Sequence, residues 1–404
     1  MISADFAPNE SFTDATTSLA MLLKPWRWRK GKALFKVKQK LKKLFGGSYE
    51  VFLFLTGRAA LYRLFQSLPL EKGVEVAVQA FTCEAVILPL IELGLIPLYI
   101  DIERESYSMY PEDLIAKLTP NTKALVLQHT FGMVPKNRER ILSIARQRRI
   151  IVVEDLAHGF NQQLFNKTNT EPQSQFLLLS FGRTKTLSSV FGGAILSRSK
   201  MTNKKLKEFE KITSFPSSYF IFQALWYKPF AWFIRKTYGV GLGKLIHFIT
   251  NSFQLIPREI SPTEKRGEFD TIFIKAYPNA LAELLLKQFK QIDQIIQKRL
   301  FAIGQYKMYI SKDFPYEGNS PLIRFPYHHT NRDVVVSRLK KKKIYLGSWY
   351  DQVVGPKELP LDKLKYKSGS CPMAEATCKQ ILNLPTTIIQ KEVDRVIDVF
   401  LESA

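Results

Sequence analysis

The stretch FLLLSFGRTKTLSSVFGGAILS, residues 176–197, sets two apolar runs around a polar middle. Four apolar residues lead into Ser180, and Lys185 follows five positions later. Small and hydroxylated residues and the Gly192–Gly193 pair come next, before the chain turns apolar again. Apolar runs of this length read as buried strands. The lysine between them is either a solvated loop residue or a side chain delivered to the edge of a sheet.

The sequence upstream favours a sheet. TGRAALYRLFQSL (56–68), CEAVILPLIELG (83–94), YPEDLIAKL (110–118) and NRERILSIARQRR (137–149) carry helical apolar spacing. VEVAVQA (74–80), PLYIDI (97–102), TKALVLQHT (122–130) and IIVVED (150–155) lie between them and read as strands. This alternation from about residue 50 to 200 predicts a mostly parallel sheet covered by helices, an α/β fold. Ligands of such sheets sit beyond the carboxyl ends of the strands. Phe81 and Thr82, Asp101, His129, Asp155 and Ser180 fall at those ends.

Asp155 at the end of IIVVED either caps the next helix or faces a buried cation. A lysine in an apolar site has a lowered pKa and is a nucleophile toward carbonyls. Ser180 and the turn at Gly57 offer hydroxyl and N–H donors for a phosphate at a helix N-terminus. A lysine, a carboxylate and a phosphate cradle on neighbouring strands are what pyridoxal 5′-phosphate needs. The lysine condenses with the aldehyde, the carboxylate keeps the pyridine nitrogen protonated, and the cradle anchors the phosphate.

Composition bounds the alternatives. The 404 residues suffice for a large domain and a smaller one, and 46% are apolar. Three cysteines, Cys83, Cys371 and Cys378, make neither a disulfide framework nor a zinc knuckle, so no metal is expected. A reducing cytoplasmic compartment is the default, and no signal peptide is evident. The formal net charge of +23 suits polyanionic partners. Without a zinc-finger or RNA-binding signature, nucleic acid is the weakest of these.

Two blocks concentrate the basic residues. Residues 24–47 read as a basic amphipathic helix headed by Trp26 and Trp28. Residues 218–249 are dense in aromatics and too interrupted by Lys228, Arg235 and Lys236 for a membrane span. Each block is either a helix packed on the body or an element that docks on an anionic membrane surface. In the docking reading, Trp226, Phe230, Trp232 and Phe233 enter the interface, and Lys228, Arg235 and Lys236 lie near headgroups.

The motifs from Gly57 to Gly193 resemble, in order and spacing, the DegT/StrS family of sugar aminotransferases, fold type I pyridoxal-phosphate enzymes. The family's SGTAAL corresponds to TGRAAL (56–61), its PSFTF to QAFTC (79–83), and its VFVDID to LYIDIE. Its VHLYG corresponds to QHTFG (128–132), VIEDAAHA to VVEDLAHG, SFSFFPTK to LLSFGRTK, and GEGGAI to FGGAI. Near the other end, CPMAEATCKQILNLP (371–385) resembles PxAExLSxxxLxLP.

The resemblance implies roles for residues. Lys185 takes the place of the cofactor-binding lysine, and Asp155 that of the pyridinium partner. His158 stands near the ring, and Ser180 stands at the phosphate. Gly57 and Arg58 occupy the phosphate loop, with Arg58 replacing a usual Thr. Cys83 falls where relatives stack an aromatic residue. His129 and Arg183 are candidates for substrate contact. The family's Asn-Tyr-Arg segment, donated across a dimer, should fall near TIFIKAY (271–277), where Lys275 is the nearby cation.

The resemblance also implies a function: transfer of an amino group, from glutamate in many relatives, to a nucleotide-linked ketosugar for surface polysaccharide or glycolipid synthesis. Lys185 favours transamination over dehydration, because relatives that dehydrate carry His at that position. Two other readings stay open. One is a lyase or dehydratase reaction on the same scaffold. The other is a non-catalytic relative that binds membrane or polyanion. The expected architecture is a basic segment (1–49), a large cofactor domain (50–255) with an insertion at 215–255, and a smaller α/β domain (256–404). Residues 276–306 should form one linking helix, and a homodimer is expected.

Overall fold

The computed structural model describes residues 1–165 and 174–402. A seven-stranded sheet forms the centre. Its strands are β1 (Glu50–Phe54), β2 (Glu75–Gln79), β3 (Ile96–Ile100), β4 (Thr122–Gln128), β5 (Ile151–Asp155), β6 (Phe176–Ser180) and β7 (Gly193–Ser197). Their order is β1-β7-β6-β5-β4-β2-β3, with only β7 running antiparallel to its neighbours. The mostly parallel sheet expected from the alternation is therefore present. The interior strands β4 to β7 are almost continuously apolar because helices cover both faces.

Gly193 makes the closure of β1 on β7 possible. It pairs with Phe54, and a Cβ at Gly193 would stand 2.3 Å from the carbonyl oxygen of Thr56. Any side chain there would push β7 away from the turn that opens the helix α3 (Gly57–Ser67).

Residues before the sheet pack on the body. The helix α1 (Phe12–Leu22) opens with a capping box between Ser11 and Asp14. The helix α2 (Lys32–Leu44) buries Ala33, Val37 and Leu41 and turns its lysines outward. Trp26 is exposed, whereas Trp28 is buried and donates its indole N–H to the Met21 carbonyl at 2.7 Å.

The aromatic block forms the helices α8 (Ser218–Thr237) and α9 (Leu242–Ser252). Lys228 does not face outward as the docking reading required. Its ammonium is fully buried 2.6 Å from the Glu10 carboxylate, because α1 and the segment before it cover that face of α8. Arg235 donates to the Ala7 carbonyl at 2.8 Å. Trp226 and Trp232 are half-buried, their rings 5.2 Å from Phe230 and Phe12 respectively.

The linking stretch is two helices rather than one. The helix α10 (Asn279–Phe289) ends at Lys290, and α11 (Ile292–Tyr309) begins after Gln291. No Gly or Pro marks the break. It arises because α10 packs against α2 and α1 while α11 packs against the last helix, Gln390–Leu401, and one straight rod cannot serve both directions. Beyond α11, the strands Arg324–His328 and Ile381–Pro385 pair antiparallel.

Residues 2–10 join the two ends of the molecule. Ile2 and Ser3 pair in parallel with Ile344 and Tyr345, and Asp5 forms an ion pair with Arg324. The chain then runs to the large sheet, where Asn9 meets the Lys185 loop.

Candidate active site

The polar ends of β5 and β6, the start of α3 and the Lys185 loop enclose a cavity of about 200 Å³. Gly57, Cys83, Asp155, Ser180, Lys185 and Trp349 all contribute to its wall.

Asp155 ends β5 and is buried. One carboxylate oxygen accepts from the Ala157 N–H at 2.9 Å. Burial raises its pKa, and that N–H and the Lys185 charge oppose the rise. Lys185 follows β6 in a loop whose carbonyls are pinned from outside: the Asn9 amide donates to Lys185 O at 2.6 Å and to Thr186 O at 3.0 Å. Burial lowers the Lys185 pKa, against the pull of Cys83 and Asp155, and the Arg324 charge lowers it further. The amine is therefore closer to its neutral, nucleophilic form than an ordinary lysine.

The anion cradle is built at the N-terminus of α3. Thr56 caps the helix by accepting the Ala59 N–H at 3.1 Å. The first N–H groups of a helix, here those of Gly57 and Arg58, have no intrahelical acceptor. Ser180 at the end of β6 faces the same point: a Cβ at Gly57 would stand 3.2 Å from its Oγ. Glycine leaves that space to a ligand, and helix-terminal N–H groups beside a hydroxyl suit phosphate. The donor set therefore fits pyridoxal 5′-phosphate: an amine of lowered pKa, a buried carboxylate and an anion cradle around one cavity.

Four sequence assignments change. The Arg58 guanidinium is committed elsewhere. It pairs with Glu264, lies 3.6 Å from Glu84 and donates to the Glu259 carbonyl at 2.8 Å. Its share in the cradle is its backbone N–H.

His129 is fully buried and does not reach the cavity. Its Nε2 bonds to Glu154 at 2.9 Å and its Nδ1 to the Asn161 amide at 3.0 Å. Glu154 also accepts from Arg138, so these residues form a structural network under the sheet. Arg183 lays its guanidinium over the Tyr227 ring at 4.4 Å and donates to the Pro257 carbonyl. Lys275 bonds to Ser214 at 3.1 Å and is not part of the cavity wall.

His158 does not line the cavity itself; it stands behind Trp349 and Tyr350, which do. Its Nδ1 accepts the Phe131 N–H at 3.2 Å, so Nε2 carries the proton and donates to the Tyr350 hydroxyl at 3.2 Å. Burial, followed by the Lys185 and Arg324 charges, holds its pKa well below the usual 6.5. Cys83 borders the cavity as a neutral thiol, its pKa pushed up to about 12 by burial and then by Glu84.

The sequence reading missed Trp349. Its indole stacks on His158 with centroids 4.5 Å apart and planes at 14°. The Lys185 ammonium lies 4.6 Å from the ring centroid and the Arg324 guanidinium 3.3 Å from it. The aromatic surface absent at Cys83 thus comes from the far end of the chain. The only local signal was the aromatic pair after Gly347 in GSWYD.

A lysine facing a buried carboxylate at the carboxyl edge of a mostly parallel sheet, beside an anion cradle, defines a site of the pyridoxal-phosphate transferase type. The chain belongs to the DegT/DnrJ/EryC1/StrS aminotransferase family, whose profile matches residues 12–218 and 278–401.

Among curated proteins it is similar to dTDP-4-amino-4,6-dideoxy-D-glucose transaminase of Shigella dysenteriae, at 30% identity over 42% of this chain and 45% of that one. GDP-perosamine synthase of Escherichia coli O157:H7 is 27% identical over 38% and 42%. These matches thus span less than half the length of either relative. Among solved structures, NtdA of Bacillus subtilis with bound cofactor PMP superposes with a TM-score of 0.73 at 19% identity, covering 98% of this chain and 83% of that one. PseC of Helicobacter pylori superposes at 0.72 and 16% identity over 99% of both. These structures share the fold.

Proposed function

We propose that the protein is a pyridoxal-phosphate-dependent aminotransferase that moves an amino group, from glutamate, to a nucleotide-linked ketosugar in surface polysaccharide or glycolipid synthesis. The observation that carries the reading is the convergence of Lys185, Asp155 and the Gly57–Ser180 cradle on one cavity. Relatives named as sugar transaminases and a perosamine synthase support the substrate class. The homodimer and the cytoplasmic setting belong to the same proposal.

When bound, the cofactor supplies an aldehyde for the amine and an electron-accepting ring. Lys185 would hold it, and its amine, of lowered pKa, would serve as general base for a proton at the substrate carbon. Asp155 would hold a proton on the ring nitrogen. Ser180 Oγ and the N–H groups of Gly57 and Arg58 would bind the phosphate. His158, fixed between Phe131 and Tyr350, donates only through Nε2 and presents Trp349 as an aromatic wall. Six basic residues of α2 give the surface a charge suited to a diphosphate substrate.

The test uses purified protein. It should absorb in the visible, borohydride should fix the cofactor on Lys185, and glutamate with a panel of nucleotide ketosugars should yield an aminosugar by mass spectrometry. Lys185→Ala should fold and lack turnover. A reduced adduct on another lysine, or cofactor loading without transfer to any ketosugar, overturns the assignment of site or of substrate respectively.

A further inference from the structure

The family profile passes over residues 219–277, the stretch that holds nearly all of α8 and the whole of α9. The surface of this added piece is unlike the rest. The inner face of α9 sits directly on α8, where a Cβ at Gly243 would meet the Ile234 carbonyl oxygen at 2.4 Å. Thr250 is buried on the same side.

The outer face is a row of large apolar side chains in solvent. Leu242, Leu245, Phe248, Ile249 and Phe253 are all exposed, with Phe248 at 67% and Phe253 at 71%. At 3.6 residues per turn they cover an arc of roughly 140°, the width of a stripe that normally faces a core. Soluble proteins rarely leave such a row uncovered.

Charge decides what covers it. No Asp or Glu occurs between Glu210 and Glu259. Lys236, Lys244 and Arg258 rim the area, are exposed, and pair with no carboxylate among the described residues. A second copy seated by two-fold symmetry would bring this all-basic rim against itself, because an isologous contact pairs a patch with its own image. An anionic bilayer complements both features at once: acyl chains take the apolar row and headgroups take the rim. No helix among the described residues is long and apolar enough to cross a membrane, so α9 lies in the interfacial plane.

We propose that α9 docks the protein on membranes rich in anionic lipid, with Leu245, Phe248 and Phe253 entering the headgroup–acyl boundary and Lys236, Lys244 and Arg258 at the phosphates. This places the contact on α9 rather than on α8, whose Lys228 is consumed inside the protein. The inference is independent of the catalytic reading.

The test is co-sedimentation of the full chain with vesicles of phosphatidylcholine alone and of phosphatidylcholine mixed with phosphatidylglycerol, at low and high salt. Binding should require phosphatidylglycerol and fall as salt rises. Phe248→Ser with Phe253→Ser should reduce it at least tenfold while the melting curve stays unchanged. Lys244→Glu should weaken it by roughly tenfold or more, since each basic residue near the surface is worth about fivefold. Failure of the intact protein to bind phosphatidylglycerol vesicles at low salt overturns the proposal. So does a dimer in sedimentation that the double serine variant dissolves, because the row is then a self-interface.

Discussion

Asn9→Ala tests whether a segment outside the cavity holds the nucleophile in place. The Asn9 carboxamide is buried, and its orientation is unambiguous because its nitrogen faces two carbonyls that can only accept. Its oxygen accepts from Arg299 at 3.2 Å. Arg299 is fully buried and held otherwise by Thr387, with burial pulling its pKa down to about 9. Truncation leaves two carbonyls and one guanidinium N–H without partners.

Each such orphan costs about 1–3 kcal/mol, and water can reach the Lys185 carbonyl in compensation, so the expected loss of stability from the other two is about 2–6 kcal/mol. Drift of the loop by about 1 Å should lower kcat by up to 100-fold. Urea unfolding and steady-state rates measure the two effects. Asn9→Asp separates them: it gives Arg299 a counter-charge but aims an acceptor at both carbonyls, so activity should stay low. An Asn9→Ala protein with an unchanged urea midpoint and full kcat would refute the anchoring argument.

Two further outcomes follow from the same geometry. Gly193→Ala places a methyl against backbone that has no flexible end to move, so it should destabilise the fold by about 2–3 kcal/mol and weaken cofactor binding, followed by visible absorbance. A normal cofactor affinity would show that the Thr56–Gly57 turn does not need the close approach of β7.

Acidification should destabilise the protein in two windows. His158 has a folded pKa well below 6.5, so the unfolded chain takes up the proton first, and stability falls as pH drops below that value, by up to about 1.4 kcal/mol per pH unit. Glu154 is pushed up by burial but brought to about 2 by His129 and Arg138, so its contribution is present above 4.5 and lost as pH falls toward 2. Urea midpoints for the wild type and His158→Gln across the upper window check this; a flat wild-type profile there would contradict it.

What the sequence made readable was local. The strand–helix alternation from 50 to 155 follows from periodicity, and the ends of IIVVED and FLLLS place Asp155 and Ser180 without further information. Side-chain direction was not readable, because partners distant in the chain set it. Arg58 turns to Glu264, Arg183 to Pro257 and Tyr227, and His129 to Glu154 and Asn161. Trp349 escaped for the same reason: its role exists only once the end of the chain folds back on His158. Lys228 looked like a surface cation until Glu10 was placed beside it. The break between α10 and α11 carries no breaker residue, so only the two bodies they pack on reveal it.

The pairing of Ile2 with Ile344 has a consequence for synthesis. The segment that pins the Lys185 loop leaves the ribosome long before the strand that fixes its other side. At about 5–20 residues per second, that interval is on the order of tens of seconds. Throughout it, the segment has no docking partner at its Ile2–Ser3 end. The site can therefore be completed only after Ile344 and Trp349 have emerged, well after Lys185 itself.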